Sequence, residues 1–108
     1  MAKQGYWIAH FELTNPEAYK AYQEQVMILL GEYGARFLVR GGRSHTDEAH
    51  SASRTLVIEF ADYKAALRCY LSPEFAKAEA LRLGNAVGNV VVIEGYDGPQ
   101  PSDQLANR

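Results

Sequence analysis

One histidine and one carboxylate in this sequence have the residue types of a proton-transfer pair. His10 lies within an alternating segment, residues 6–13, and an imidazole there can accept a proton near neutral pH. Glu59 lies on another alternating segment and could orient that imidazole by a hydrogen bond. The alternative, which is the commoner situation, is a histidine that is hydrogen-bonded within a subunit interface.

A second candidate group is the run Arg40-Gly41-Gly42-Arg43. Two glycines let a backbone approach a ligand closely or turn sharply, and guanidinium groups bind carboxylates and phosphates through paired hydrogen bonds. The run is not a phosphate-binding loop, which requires a longer spacing and a following Lys-Ser or Lys-Thr. Arg40 is therefore predicted to bind an anionic ligand or, equally, to pair with Glu59, Glu94 or a second subunit.

Aromatic residues form the third candidate group. Tyr22 lies on the apolar side of a helical segment, and we expect Trp7, Phe37 and Tyr70 to line a pocket with it between helices and sheet. Such a pocket suits a small aromatic compound, and Tyr22 is a second candidate base beside His10. The alternative is packing alone, because aromatic residues at helical spacing are usually core residues.

Neither a metal site nor a reactive thiol is predicted. His45 and His50 flank Asp47 and Glu48, but their spacing matches no familiar ligand set, and a polar loop lacks fixed supporting partners. Cys69 stands in an apolar helical stretch, which favours a buried and inert thiol. We expect no cofactor.

Short alternating segments and helical segments must position these residues. The periodicity predicts strands over residues 6–13, 35–40, 54–60 and 90–96, and helices over 16–33, 62–71 and from 73 onward. The order strand, helix, strand, strand, helix, strand is that of the ferredoxin-like α+β fold, βαββαβ. Right-handed connections then give a four-stranded antiparallel sheet with strands one and three in the centre and the helices on one face.

Alternation along each strand separates the residues of two sheet faces. The face predicted to lie under the helices is apolar: Trp7, Ala9, Phe11, Phe37, Val39, Leu56, Ile58, Phe60, Val91 and Ile93. The opposite face is mixed: Tyr6, Ile8, His10, Glu12, Arg36, Leu38, Arg40, Thr55, Val57, Glu59, Val90, Val92 and Glu94. Because a half-apolar face is poorly suited to water, we expect a homodimer through it, with roughly 1,600 Å² or more buried.

Bulk properties exclude several classes of partner. The 108 residues suit one domain over residues 1–96, followed by a mobile or lightly docked tail over 97–108. A formal charge of −2 gives no electrostatic basis for binding nucleic acid or an anionic membrane. The apolar runs are too short to span a bilayer and no leader precedes the first strand, so we expect a cytoplasmic protein.

Several stretches also resemble a known family. They are Gly5-Tyr6-Trp7-Ile8-Ala9, Pro16-Glu17-Ala18-Tyr19, the run from Gly34 to Arg43, Val57-Ile58-Glu59-Phe60, the run from Tyr63 to Pro73 with the Tyr-Leu-Ser-Pro-Glu-Phe that closes it, and Val92-Ile93-Glu94-Gly95. Together they resemble domain-of-unknown-function family 1330 of the dimeric α/β barrel superfamily, over residues 5–95. The resemblance implies the ferredoxin-like fold and a dimer, but no established reaction. The loop over residues 44–50 departs from the family pattern.

Two functions remain open on these grounds, and the sequence does not decide whether the chain is an enzyme. The first is a small dimeric enzyme that binds a hydrophobic, oxygen-bearing metabolite and transfers protons or assists oxidation without a cofactor. There His10 or Tyr22 would act as base and Arg40 would hold an anion. The second is a ligand-binding or sensing dimer without turnover. Haem binding, which occurs in the superfamily, is a further alternative that would need an axial ligand, for which His10 is the nearest candidate.

Overall fold

The computed structural model describes residues 3–43, 45, 53–84 and 86–106. Along the chain these form β1 (Gly5–Leu13), α1 (Pro16–Glu32), β2 (Arg36–Arg40), β3 (Ser53–Phe60), α2 (Tyr63–Tyr70), α3 (Pro73–Arg82), β4 (Ala86–Glu94) and α4 (Pro101–Ala106). The predicted order is confirmed. The short α4 was not predicted, and it lies in the segment that was expected to be a mobile or lightly docked tail.

The strands form one antiparallel sheet in the order β2-β3-β1-β4. The predicted ferredoxin-like topology, with β1 and β3 in the centre, is therefore confirmed. Residues of α1, α2 and α3 share one buried core with the sheet. In the described part of the chain, no helix is long and apolar enough to cross a bilayer.

A polar residue caps the start of each of the three core helices. The Asn15 side chain accepts a hydrogen bond from the backbone N–H of Ala18 at 3.3 Å, and Pro16 occupies the first position of α1. The Asp62 carboxylate caps α2 at 2.8 Å. The Ser72 hydroxyl caps α3 at 3.2 Å and donates to the Cys69 carbonyl at 2.7 Å. These caps satisfy backbone donors that the first helical turn leaves free.

Trp7 lies at the centre of the core. Its side chain is 2% exposed, and its indole N–H donates to the carbonyl of Ala66 in α2 at 2.8 Å. The rings of Phe60 and Phe75 lie 5.2 and 4.9 Å from it, centroid to centroid. Trp7 thus connects β1 to α2 through the indole hydrogen bond and to α3 through ring packing with Phe75.

The predicted faces of β4 are reversed in the structure. Val92 pairs with Trp7 in register, and Val90 and Val92 pack against the core, whereas Val91 and Ile93 are 44% and 45% exposed. The prediction was wrong because four consecutive apolar residues carry no alternation, so only pairing with β1 sets the register. The strand also begins at Ala86, earlier than predicted.

A register shift in β2 changes the face of two more residues. The Cα pairs with β3 are Phe37 with Ile58, Val39 with Val57, and Arg40 with Leu56. Leu38 is the extra residue of this bulge, so the alternation reverses after it. Val39 therefore lies on the face away from the helices and Arg40 on the helix side, opposite to the prediction for each.

Candidate functional site

The face of the sheet away from the helices is called the open sheet face below. An aliphatic row crosses all four strands on it, in the order Val39, Val57, Ile8 and Val91. On one side of this row lie Arg36, Glu59, Tyr6 and Ile93, and on the other side Thr55, His10 and Asn89. This face is mixed, as predicted. Val39, Val91 and Ile93 lie on it, whereas Arg40, Val90 and Val92 lie on the helix side instead.

His10 and Glu59 both lie on the open sheet face but do not form a pair. The Nδ1 atom of His10 is hydrogen-bonded to the Thr55 hydroxyl at 2.9 Å. Glu59 accepts hydrogen bonds from the Tyr6 hydroxyl at 3.2 Å and from Nε of Arg36 at 2.8 Å. Glu59 faces Tyr6 in register, and four residues of strand, about 13 Å, separate Tyr6 from His10. Glu59 therefore does not orient the imidazole.

A pocket lies between α1 and the helix side of the sheet. It encloses about 420 Å³ of empty space, counting its opening, and it is narrow. Its aromatic lining residues are Trp7, Phe11, Tyr19, Tyr22 and Phe37, its polar ones are Gln23 and Arg40, and aliphatic residues complete it. Arg40 and Met27 are the lining residues that are exposed, so they mark the opening.

The structure thus brings four of the predicted site residues together in this pocket: Trp7, Tyr22, Phe37 and Arg40. The Arg40 guanidinium lies over the Phe37 ring, 4.7 Å from its centroid. Tyr70 does not line the pocket. Its ring meets Trp7 edge-on, at a centroid distance of 6.0 Å.

The Tyr22 phenol is suited to donating a hydrogen bond rather than accepting a proton. Burial is the main cause that raises the pKa of Tyr22, and the neighbouring Tyr19 and Glu79 raise it further. The phenol therefore stays protonated at neutral pH. A role as general base, which the sequence suggested, does not fit this environment.

Sequence reasoning missed two residues beside the pocket. Tyr19 is 2% exposed, and its hydroxyl has no hydrogen-bond partner among the described residues. Arg54 pairs in register with Phe11, so it lies on the helix side of β3. Both are helix-side residues by periodicity, but no sequence signal shows that a phenol lacks a partner.

The Arg54 side chain lies beside Gly41, the residue that follows β2. A Cβ on Gly41 would stand 3.5 Å from Cγ, Nε and Cζ of Arg54, and the glycine has a φ of +60°. A Cβ at that distance would make ordinary contact, so the positive φ rather than the available space favours glycine here, and the Arg54 side chain lies alongside the end of β2.

The remaining candidates do not join this site. Arg43 and His45 are exposed, and Asp47, Glu48 and His50 lie outside the described residues. The described residues contain no group of three or more metal-ligating side chains. Burial raises the pKa of the Cys69 thiol to about 12, so it stays protonated.

Comparison with known proteins places this fold in a family. The family described as "Domain of unknown function (DUF1330)" matches residues 4–96. The chain belongs to the DUF1330 family. No curated protein matches this DUF1330 chain.

Solved structures share the fold of this DUF1330 protein at low sequence identity. A protein of unknown function from Rhodopseudomonas palustris is 13% identical, with a TM-score of 0.68 over 91% of this chain and 86% of the other. SnoaB, a cofactor-independent oxygenase from Streptomyces nogalater, is 12% identical, with a TM-score of 0.66 over 93% and 99%. A dimeric ferredoxin-like protein of unknown function from Jannaschia sp. CCS1 is 16% identical, with a TM-score of 0.61 over 85% and 99%. The TM-scores show a shared fold, and at such low sequence identity they do not show a shared reaction.

Proposed function

We propose that this DUF1330 protein is a homodimer that binds a small aromatic, oxygen-bearing metabolite in the pocket between α1 and the sheet. The observation that carries the proposal is the lining, in which five aromatic side chains surround a narrow space and few polar groups enter it. Small-molecule sites have this composition. Aromatic walls bind a flat ligand, and Arg40, Gln23 and Tyr22 offer donors to its oxygen atoms.

The open sheet face supports the homodimer. Its side chains Ile8, Val39, Val91 and Ile93 are each between 41% and 45% exposed in the single chain. A continuous apolar row of this kind marks an interaction surface, and a second copy with the same row would cover it around a twofold axis. The similar ferredoxin-like protein from Jannaschia is described as dimeric, which supports a dimer here.

Binding without turnover is the function that the pocket geometry supports best. Among the described residues, no histidine and no carboxylate lines the pocket, and the Tyr22 phenol stays protonated. His10 lies on the other side of the sheet, where it could act only on a ligand held inside the dimer.

Cofactor-independent oxygenation is the second candidate, and similarity to SnoaB favours it. In such a reaction a dihydro-aromatic substrate loses two hydrogen atoms and gains one oxygen atom from O₂. The second oxygen atom leaves as water, and the substrate supplies all the electrons. The pocket residues would hold the ionised substrate, which must be acidic enough to lose its proton without a strong protein base.

Trp7 gives a direct test, because it is the single tryptophan of the chain and lines the pocket. Titration with anthrone and with anthraquinone should quench its fluorescence saturably. Val90→Phe fills the pocket and should weaken the quenching, whereas Leu71→Phe, at an exposed turn, makes a similar enlargement outside it. Quenching that never saturates, or that Val90→Phe leaves unchanged, would contradict the proposed site.

Mass spectrometry of the recovered ligand separates the two candidate functions. Anthrone recovered unchanged in air indicates binding alone. Conversion to anthraquinone with uptake of O₂, faster than without protein, indicates oxygenation.

A further inference from the structure

The pocket contains one buried polar group for which the described residues provide no hydrogen-bond partner. The Tyr19 hydroxyl lies on a side chain that is 2% exposed, lines the pocket and has no partner among the described residues. An unpaired buried hydroxyl destabilises a folded protein, because it loses its water without gaining another hydrogen bond. A bound ligand atom that accepts from this hydroxyl would remove that cost.

Three guanidinium groups act on the charge of this phenol. Burial raises the pKa of Tyr19, while the guanidinium groups of Arg54, Arg82 and Arg40 act in the opposite direction. Arg82 is paired with the carboxylate of Glu79, which neutralises it. Within the described residues, neither Arg40 nor Arg54 forms an ion pair, and no carboxylate lines the pocket.

The bulge at Leu38 and the register of β3 place this charge. Without the extra residue, Arg40 would lie on the open sheet face, as simple alternation predicts. Arg54 lies on the helix side because it pairs in register with Phe11. The bulge in β2 and the register of β3 with β1 therefore place two guanidiniums on the helix side of the sheet.

We propose that the ligand of this pocket is an acid. Its carboxylate, or an ionised phenol or enol, lies against the guanidiniums of Arg40 and Arg54 and accepts a hydrogen bond from the Tyr19 hydroxyl, while its aromatic body lies among the rings of the pocket. This assignment rests on the proposed function and adds the charge of the ligand and the residues that select it. Paired guanidinium groups with a neutral donor match the geometry and charge of a carboxylate.

Two probes with the same aromatic body test the charge directly. Anthraquinone-2-carboxylate and anthraquinone-2-carboxamide differ in charge, and both can be titrated against the fluorescence of Trp7. The carboxylate should bind roughly ten- to a hundredfold more tightly than the amide, as expected for hydrogen bonds to a charged group. This comparison uses the unaltered protein, so it does not depend on any variant folding.

Variants then assign the selectivity to residues. Arg40→Met and Arg54→Met should each reduce the preference for the carboxylate about tenfold or more while changing amide binding little. Arg68→Met, on the exposed side of α2, is the matched control and should change neither. Tyr19→Phe should weaken carboxylate binding and yet leave the melting temperature of the free protein equal or higher, since it removes an unpaired hydroxyl. A purely structural Tyr19 would instead lower the melting temperature.

The outcomes separate this inference from the function on which it rests. Equal binding of both probes would overturn the acidic ligand while leaving the aromatic pocket intact. Arginine variants that weaken the binding of both probes alike would also overturn the acidic ligand. If neither probe quenches Trp7 saturably, the pocket accepts no aromatic body, and both proposals are wrong.

Discussion

Replacing Ile8 by glutamate should convert the proposed homodimer to folded monomers. Ile8 stands in β1 at the centre of the aliphatic row, between Val57 and Val91, and it is 41% exposed in the single chain. Because its side chain points away from the helix-side core, a charge there should not disturb the packing of one subunit. In a dimer through the open sheet face, the same charge would be buried at the centre of the interface, once from each subunit.

The exposed fraction of Ile8 sets the expected loss of dimer stability. Full burial of an aliphatic side chain contributes about 1.5–3 kcal/mol, so the 41% of Ile8 that is still exposed represents about 1 kcal/mol per subunit. The two glutamates would lose about 2 kcal/mol of this burial and would also bury two carboxylates, at several kcal/mol each. A total above about 5 kcal/mol raises the dissociation constant by more than about a thousandfold.

Sedimentation velocity at micromolar concentration measures this directly. The wild-type chain should sediment at twice its subunit mass of 12.0 kDa, and Ile8→Glu at the subunit mass with an unchanged far-UV circular dichroism spectrum. Ile28→Glu is the matched control, because Ile28 is 69% exposed on the outer side of α1 and the variant should remain dimeric. A wild-type monomer, or an Ile8→Glu dimer of undiminished affinity, would refute the reasoning.

Three further predictions concern stability. Gly88→Ala should lower the free energy of unfolding by more than about 3 kcal/mol or prevent folding, because a Cβ there would lie 1.9 Å from the carbonyl oxygen of His10. Gly42→Ala is the control, because a Cβ at Gly42 has open space and should change stability little. Equal urea midpoints for the two variants would contradict this prediction. Asp62→Ala should cost about 1 kcal/mol in urea unfolding, because it removes the cap of α2, and no change would argue against that cap. Burial raises the pKa of Cys69 from its usual 9.0 to about 12. Between these pH values the unfolded chain has released the thiol proton that the folded chain keeps. The free energy of unfolding therefore falls as the pH rises through this range. Urea unfolding between pH 9 and 11 should therefore show a shallower decline for Cys69→Ala than for the wild type, and parallel declines would contradict the buried thiol.

Much of the candidate site could be predicted because its residues follow simple periodicity. Trp7 and Phe37 share the helix-side positions of their strands, and Tyr22 recurs with the apolar residues of α1, so all three were expected where the pocket lies. Arg40 was expected to hold an anion but was assigned to the wrong face. Tyr19 and Arg54 were not predicted as site residues, because a missing hydrogen-bond partner and a neighbouring guanidinium arise only when separate strands and helices meet.

The sequence by itself determined the order of strands and helices and the existence of one apolar and one mixed sheet face. These depend on neighbours within a few residues, through alternation and helical spacing. Only the tertiary structure decided which of Val90 to Ile93 enter the core and on which side of the sheet Arg40 lies. Both depend on register between strands that are distant in sequence, and a single shifted residue there exchanges the two faces.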